Sequence, residues 1–129
     1  MTEKCILLAL HPKWWPQILS GHKTREIRKT APNVAEWPVR VIVYLTRPRC
    51  EIVGDFLCTG YIRSCMYGQM AGESGLGYWE LNAYAGKPGA ALCAWEIAEP
   101  RQYEKAMKLK DLGIKNPPQS WRYIELEEE

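Results

Sequence analysis

The chain has 129 residues, of which 47% are hydrophobic and 25% are charged, and its formal net charge is +2. This size and composition are typical of one globular domain that buries a core without metal ions or disulfide bonds. We therefore expect a single domain over residues 1–129. No apolar run is long enough to cross a bilayer, which excludes a helical membrane protein, and the modest charge disfavours tight non-specific binding to nucleic acids.

The charge is unevenly distributed along the chain. Residues 1–65 contain ten Lys and Arg against five Asp and Glu, whereas residues 66–129 contain seven against ten. A basic half favours an anionic partner such as a nucleic acid. An ordinary solvated surface has the same composition, so the asymmetry alone does not decide between the two.

The cysteines indicate a reducing compartment. Their number is odd, they form no C-x-x-C pair, and most of them lie among apolar neighbours, which favours buried free thiols in a cytoplasmic protein. The two histidines make no recognisable ligand spacing with them, so we expect no metal and no cofactor. The five cysteines are Cys5, Cys50, Cys58, Cys65 and Cys93.

The first elements alternate between apolar and charged segments. Residues 5–10 are wholly apolar and predict a buried strand. Residues 13–20 predict a helix with its tryptophans on one side, with Pro16 in the first turn and Gly21 as the stop. The charged residues 23–29 follow, and in an extended conformation Glu26 and Arg28 share one face.

The rest of the chain predicts mainly strands. Strands are expected over 39–46, over 51–63 with bends at Gly54 and Gly60, over 90–97, and over 121–126. A glycine-rich loop over 66–78 leads into a short helix over 78–85, and residues 100–115 are mixed. The pattern favours a mixed α/β, β-dominated fold in which a small sheet closes on itself with short helices at its edges.

Gly21-His22-Lys23-Thr24-Arg25-Glu26-Ile27-Arg28 resembles the G-x-K-x-x-E-x-R signature of the ASCH group in the PUA-like superfamily. The resemblance begins at His11-Pro12 and continues through strand 41–46, residues 52–54 and residues 84–87. It ends with Pro117-Pro118-Gln119-Ser120-Trp121, so it covers most of the chain.

This resemblance implies a PUA-like closed β-barrel with a cleft beside the first helix, and binding of RNA or a modified nucleoside. One branch resembles a metal-independent amidohydrolase that removes the acetyl group of N4-acetylcytidine with a threonine nucleophile, a lysine and a glutamate. The lysine matches Lys23. The threonine falls where this chain has Glu26, and Thr24 does not restore the pattern.

Lys23, Glu26 and Arg28 are the principal candidate site residues. Lys23 and Arg28 are suited to hold a phosphate or polarise a carbonyl group, and Glu26 is suited to accept from an exocyclic amine or to act as a general base on water. An ion pair at the rim of the sheet is the alternative role for the same residues.

Three further residues are weaker candidates. Glu73, in the glycine-rich loop, lies roughly where the hydrolase branch has its acid. Arg47, just after a central strand, is suited to extend a positively charged surface that contacts a phosphate backbone. Tyr78 is placed to stack on a base.

The leading hypothesis is a monomeric domain that binds RNA or a modified nucleoside through Lys23, Glu26, Arg28, Arg47 and Tyr78. The first alternative is a hydrolase of an acylated pyrimidine nucleoside in which Glu26 activates water beside Lys23, with Glu73 as a further catalytic candidate. The second alternative is a regulatory protein-interaction module with a vestigial cleft.

Overall fold

The computed structural model describes residues 1–127, so residues 128 and 129 of the predicted domain lie outside the described residues. None of the helices in this part of the chain is long and apolar enough to cross a membrane. Its strands are β1 (Thr2–Leu10), β2 (Arg25–Arg28), β3 (Val39–Leu45), β4 (Glu51–Ser64), β5 (Leu92–Met107) and β6 (Trp121–Glu127). The α-helices are α1 (Trp15–Ser20) and α2 (Tyr78–Ala85), and short 3-10 helices span Pro12–Trp14, Tyr67–Gln69 and Leu109–Leu112.

The six strands form one sheet in the order β2-β5-β4-β3-β1-β6. β1 and β3 are parallel, and every other neighbouring pair is antiparallel. β1 is apolar on both faces because each face packs into a separate core. One core contains Ile6, Leu8 and Leu10, and the other contains Cys5, Leu7 and Ala9. This explains why residues 5–10 are an unbroken apolar run rather than an alternating one.

The sheet is mixed and β-dominated as predicted, but the expected closed barrel is not confirmed. The edge strands β2 and β6 share no strand pairing. Side chains connect the two edges instead. Arg28 donates to the Ser120 hydroxyl and the Ala9 carbonyl, each at 2.9 Å, and the Trp121 indole donates to Thr30 Oγ1 at 3.0 Å. The sheet therefore curls, and the gap between its edges is crossed by side chains rather than by a backbone ladder.

The predicted helix over 13–20 is divided into two pieces. A 3-10 turn over Pro12–Trp14 precedes α1, and Pro16 lies in the first turn of α1, where its missing N–H has no helical partner. Gly21 ends α1 at a φ of +86°, in the left-handed region that glycine adopts without a steric penalty, as predicted. The chain then turns into the charged motif.

β5 is twice as long as predicted. The predicted strand ended at residue 97, and residues 100–115 were expected to be mixed. In the structure Glu99 takes a φ of +48°, and the β4–β5 register shifts at this point, so the strand continues past Pro100 as a bulge. Beyond the bulge Gly54 pairs with Gln102. A Cβ at Gly54 would collide with the Arg101 carbonyl and with Trp15, so this close approach requires glycine.

Candidate functional site

A cavity of about 330 Å³ opens where β2, the end of β1, the glycine-rich loop and α2 meet. This volume lies at the lower end of the range of small-molecule sites in proteins. The motif residues Lys23, Glu26 and Arg28 all contribute to its walls, so the structure brings together the three principal candidates. The remaining lining residues are His11, Trp14, Ile27, Leu76, Glu80 and Tyr84.

Glu26 lies between two cations at the base of this cavity. Its Oε1 is 3.2 Å from Lys23 Nζ, and its Oε2 is 2.7 Å from Arg28 Nη2. Glu26 and Arg28 share a face of β2, whereas Lys23 has the opposite parity. Lys23 nevertheless joins them because it precedes the strand, where its backbone N–H donates to the Gln17 carbonyl at 3.0 Å.

Arg28 has no N–H left for a ligand. Its Nε donates to Glu26 Oε2 at 2.9 Å, and Nη2 donates to Glu26 and to the Ala9 carbonyl. Nη1 donates to the hydroxyl and the carbonyl oxygen of Ser120 at 2.9 and 3.4 Å. These bonds occupy all five donors of the guanidinium group. Arg28 therefore holds Glu26 in place and joins the two edges of the sheet.

Lys23 is only 2% exposed. Its ammonium group donates to the Ser74 carbonyl, pairs with Glu26, and lies 4.8 Å from the centre of the Trp14 ring. Burial lowers the pKa of Lys23 below its ordinary value, although the neighbouring Glu26 opposes this effect. Lys23 therefore lines the cavity as an amine that loses its proton at a lower pH than an ordinary lysine.

Aromatic side chains form two walls of the cavity. Trp14 precedes α1, and Tyr84 lies on α2; each has a lysine above its ring, with Lys13 4.6 Å from the Trp14 ring centre and Lys29 5.4 Å from the Tyr84 ring centre. Partial burial raises the pKa of Tyr84, so its hydroxyl group keeps its proton and can both donate and accept.

Four lining residues were not among the predicted site residues: His11, Trp14, Glu80 and Tyr84. Glu80 and Tyr84 are four residues apart on α2, and this spacing places them on one face of the helix. Glu80 also caps α2, since its Oε1 accepts from the Gly77 N–H at 3.2 Å. The i,i+4 pairing was the signal available in the sequence, but only the fold shows that this face meets the motif.

The three weaker candidates do not line the cavity. The side chain of Glu73 is 60% exposed, and its carboxylate pairs with Arg25 at 3.2 Å. Arg47 is exposed in the turn between β3 and β4, and Tyr78 packs against the rings of Tyr67 and Trp79. Nothing in this placement tests their contact with a longer ligand, so their roles stay predictions.

Thr24 points away from the cavity. Its hydroxyl donates to Glu73 Oε2 at 3.4 Å, and the residue is exposed. The cavity lining contains no threonine, and within residues 1–127 no cluster of three His, Cys, Asp or Glu side chains is placed to hold a metal ion. The titratable side chains that line the cavity are His11, Lys23, Glu26, Arg28, Glu80 and Tyr84.

The fold is shared with solved structures of an ASCH protein from Zymomonas mobilis. A serine-to-alanine variant of that protein has a TM-score of 0.79 and 21% identity over 92% of this chain and 87% of that chain. The ASCH structure itself gives 0.78 and 21% over 92% and 86%, and a tyrosine-to-phenylalanine variant gives 0.76 and 20% over 92% and 88%.

Sequence comparison alone identifies no relative. No family model matches the chain, and no curated protein matches it. At about one identical residue in five, the structural likeness reports on the fold and not on the ligand. The chain therefore has the ASCH fold, which confirms at the level of architecture the resemblance carried by Gly21–Arg28.

Proposed function

We propose that the cavity binds the base of a modified nucleoside or of an unpaired RNA nucleotide. Its volume of about 330 Å³ is suited to one nucleoside-sized group. Trp14 and Tyr84 supply aromatic surface for a planar ligand, and the polar lining residues supply donors and acceptors for its edge.

The observation that carries the proposal is the burial of the Lys23–Glu26 ion pair against this cavity. Removing two charges from water is costly, and a hydrophobic pair of similar volume is often as stable. Perturbed titratable groups beside a cavity are typical of functional sites. The burial of Arg28 is explained by its hydrogen bonds between the sheet edges, to Ser120 and Ala9. The burial of Lys23 is not explained in this way, because Lys23 bonds to Ser74 and to neither of these residues.

Binding to cytidine, N4-acetylcytidine and a short single-stranded RNA tests the proposal, measured as a thermal shift of the purified protein. A ligand at about one hundred times its Kd stabilises the folded state by about 2.7 kcal/mol, which is readily detected. Lys23→Met keeps the apolar stem but leaves Glu26 in the cavity wall without its Lys23 partner, so we expect the variant to lose most of the shift. Lys87→Met, at an exposed lysine outside the cavity lining, is the matched control. Equal shifts in wild type and Lys23→Met, or no shift with any ligand, contradict the proposal.

The lowered pKa of Lys23 favours a second candidate function, hydrolysis of an acylated pyrimidine nucleoside. Both oxygens of Glu26 already hold cations, so we assign the general base to the neutral form of Lys23 and the positioning of that amine to Glu26. Lys23 takes a proton from water, the hydroxide adds to the acetyl carbon, and the C–N bond breaks. The amine nitrogen takes up a proton, and cytidine and acetate leave.

The hydrolase activity is tested by incubating the protein with N4-acetylcytidine and measuring the released cytidine by chromatography. Lys23→Met and Glu26→Gln are expected to abolish turnover, while Thr24→Ala leaves it unchanged because Thr24 faces Glu73. Loss of activity in Thr24→Ala would instead favour a threonine nucleophile. Absence of turnover by the wild type across a panel of acylated nucleosides rules the hydrolase out and leaves the binding function standing.

The single-domain organisation, the cytoplasmic location and the monomeric state remain proposals. Within residues 1–127 the sheet and its three packed cores fit one folding unit. One cooperative unfolding transition and a monomeric mass by light scattering would support the first and the third.

A further inference from the structure

The cations of the motif have few hydrogen bonds to offer a ligand. All five N–H groups of Arg28 have protein acceptors, and Lys23 donates to Ser74 and Glu26 while its charge lies near the Trp14 ring. A phosphate inside the cavity would have to break these bonds, and it would also meet the carboxylates of Glu26 and Glu80. Recognition of a ligand therefore falls to the other donors of the lining, among them Tyr84 and His11.

His11 directly follows β1, lines the same cavity and is exposed. Its Nδ1 accepts a hydrogen bond from the backbone N–H of Lys13 at 3.1 Å, which caps the turn before α1. A ring nitrogen that accepts a hydrogen bond carries no proton, so the neutral imidazole carries its proton on Nε2. Within residues 1–127 this Nε2 has no hydrogen-bond partner in the protein.

We propose that His11 determines the specificity of the cavity by donating from Nε2 to a carbonyl oxygen of the bound base. This inference rests on the proposed function and names the chemical group that the site recognises: an uncharged carbonyl acceptor rather than a phosphate. The backbone bond at Nδ1 fixes both the tautomer and the ring orientation, so the donor is held in place before the ligand arrives.

The tautomer can be measured without a ligand. A long-range 1H–15N spectrum distinguishes a protonated Nε2 from a protonated Nδ1. The chain contains only two histidines, and His22→Asn removes the second one to assign the signals. His22 is exposed and lies outside the cavity lining, so the substitution leaves the site intact. For the neutral ring of His11 we expect the proton on Nε2, and a proton on Nδ1 overturns the proposal.

Two substitutions separate the cap from the donor. Asn is among the best helix caps, so His11→Asn keeps an acceptor for the Lys13 N–H but does not reach the position of Nε2. The amide of Gln is longer and places an N–H near that position, but Gln is a poor cap. We expect calorimetric affinity for cytidine to fall about fivefold in His11→Asn, the effect of one neutral hydrogen bond, and to recover in His11→Gln. Thermal stability should be higher in His11→Asn than in His11→Gln, because Asn is the better cap.

The outcomes distinguish this inference from the function on which it rests. If the wild-type protein binds neither cytidine nor N4-acetylcytidine, the proposed function is contradicted, and the proposed contact between His11 and a ligand is contradicted as well. Binding that His11→Asn retains in full overturns only the role of His11. Loss of affinity that tracks thermal stability through both variants assigns His11 to the cap alone and equally overturns the proposal.

Discussion

Two buried carboxylates of the sheet have similar partners and different surroundings. Glu26, on the edge strand β2, pairs with Lys23 and Arg28 and lines the cavity. Asp55, on the central strand β4, accepts from Arg101 at 2.7 Å and from the Tyr103 hydroxyl at 2.6 Å through the same oxygen. Asp55 lines none of the described cavities. A buried carboxylate with cationic partners is therefore not enough to mark a functional site.

The two clusters differ in where their cations lie. Lys23 is 2% exposed, whereas the side chain of Arg101 is 62% exposed and remains largely solvated. Burial lowers the pKa of Lys23, while hydrogen bonding to Asp55 raises the pKa of Arg101. Similar pairings thus shift the two cations in opposite directions, because desolvation dominates in one cluster and the carboxylate dominates in the other. Burial of the cation, not of the carboxylate, distinguishes the candidate site.

The largest expected effect is the loss of stability in Glu26→Gln. The substitution keeps the shape of the side chain but leaves Lys23 and Arg28 as neighbouring cations with little access to water. Breaking a buried ion pair on one side costs about 3 kcal/mol or more. Urea denaturation of wild type and variant measures this loss of unfolding free energy. A loss below 1 kcal/mol, roughly the value of an exposed pair, would remove the distinction between the two clusters.

A smaller loss is expected for Asp55→Asn. Its cations, Arg101 at 2.7 Å and Arg40 at 3.4 Å, both have access to water, and the Asn side chain still accepts from Tyr103. We therefore expect a decrease of about 1–2 kcal/mol in the same denaturation experiment. Nucleoside binding should not change, because Asp55 lies outside the cavity lining. An Asp55→Asn protein that folds but loses nucleoside binding would show that the two clusters are coupled.

The chain could be predicted well where local chemistry decides the structure. Apolar runs gave β1 and β3 to within a few residues, and the predicted bounds of α2 agree with those observed because Gly77 and Gly86 flank it. β5 was predicted too short because the bulge at Glu99–Pro100 depends on pairing with β4, a contact that residues 98–107 do not reveal by themselves.

The site was predictable only in its motif. The resemblance of residues 21–28 to the ASCH signature indicated Lys23, Glu26 and Arg28, which do meet in the structure. His11 and Tyr84 come from distant segments that reach the cavity through the curl of the sheet and the docking of α2. The hydrogen bonds of Arg28 to Ser120 and Ala9 could not be predicted from the sequence, because they depend on the curl of the sheet. Its role as a ligand group stays a prediction.

The contrast between the two clusters can be sharpened by pH. Because the pKa of Lys23 is lowered in the folded state, the unfolded chain binds this proton while the folded chain does not, between that lowered pKa and the ordinary value of 10.5. Over this window Lys23 makes the free energy of unfolding rise with pH, by at most about 1.4 kcal/mol per pH unit.

Lys23→Met lacks this contribution, so wild type should gain stability relative to the variant as the pH rises from the lowered pKa of Lys23 to 10.5. Buried thiols such as Cys58, whose pKa is raised by burial above its ordinary value of 9.0, lower the free energy of unfolding as the pH rises above that value. They do so in both proteins and cancel in the difference. Urea denaturation at several pH values gives the comparison. A difference that is flat or falls with pH contradicts a lowered pKa for Lys23.

The smallest expected effect concerns a cation that neither carboxylate holds. Arg47 is exposed in the β3–β4 turn and forms no ion pair with any other residue among those described, so its guanidinium group is free to meet a phosphate of a longer RNA. Arg47→Ala should weaken binding of a short single-stranded RNA slightly and reduce its salt dependence by about one charge, while binding of cytidine stays unchanged. Arg122→Ala, at an exposed arginine on the edge strand β6, is the matched control. An unchanged salt dependence in Arg47→Ala would show that ligand recognition is confined to the cavity. Exposed cations on this surface would then have no more role in binding than the cations around Asp55.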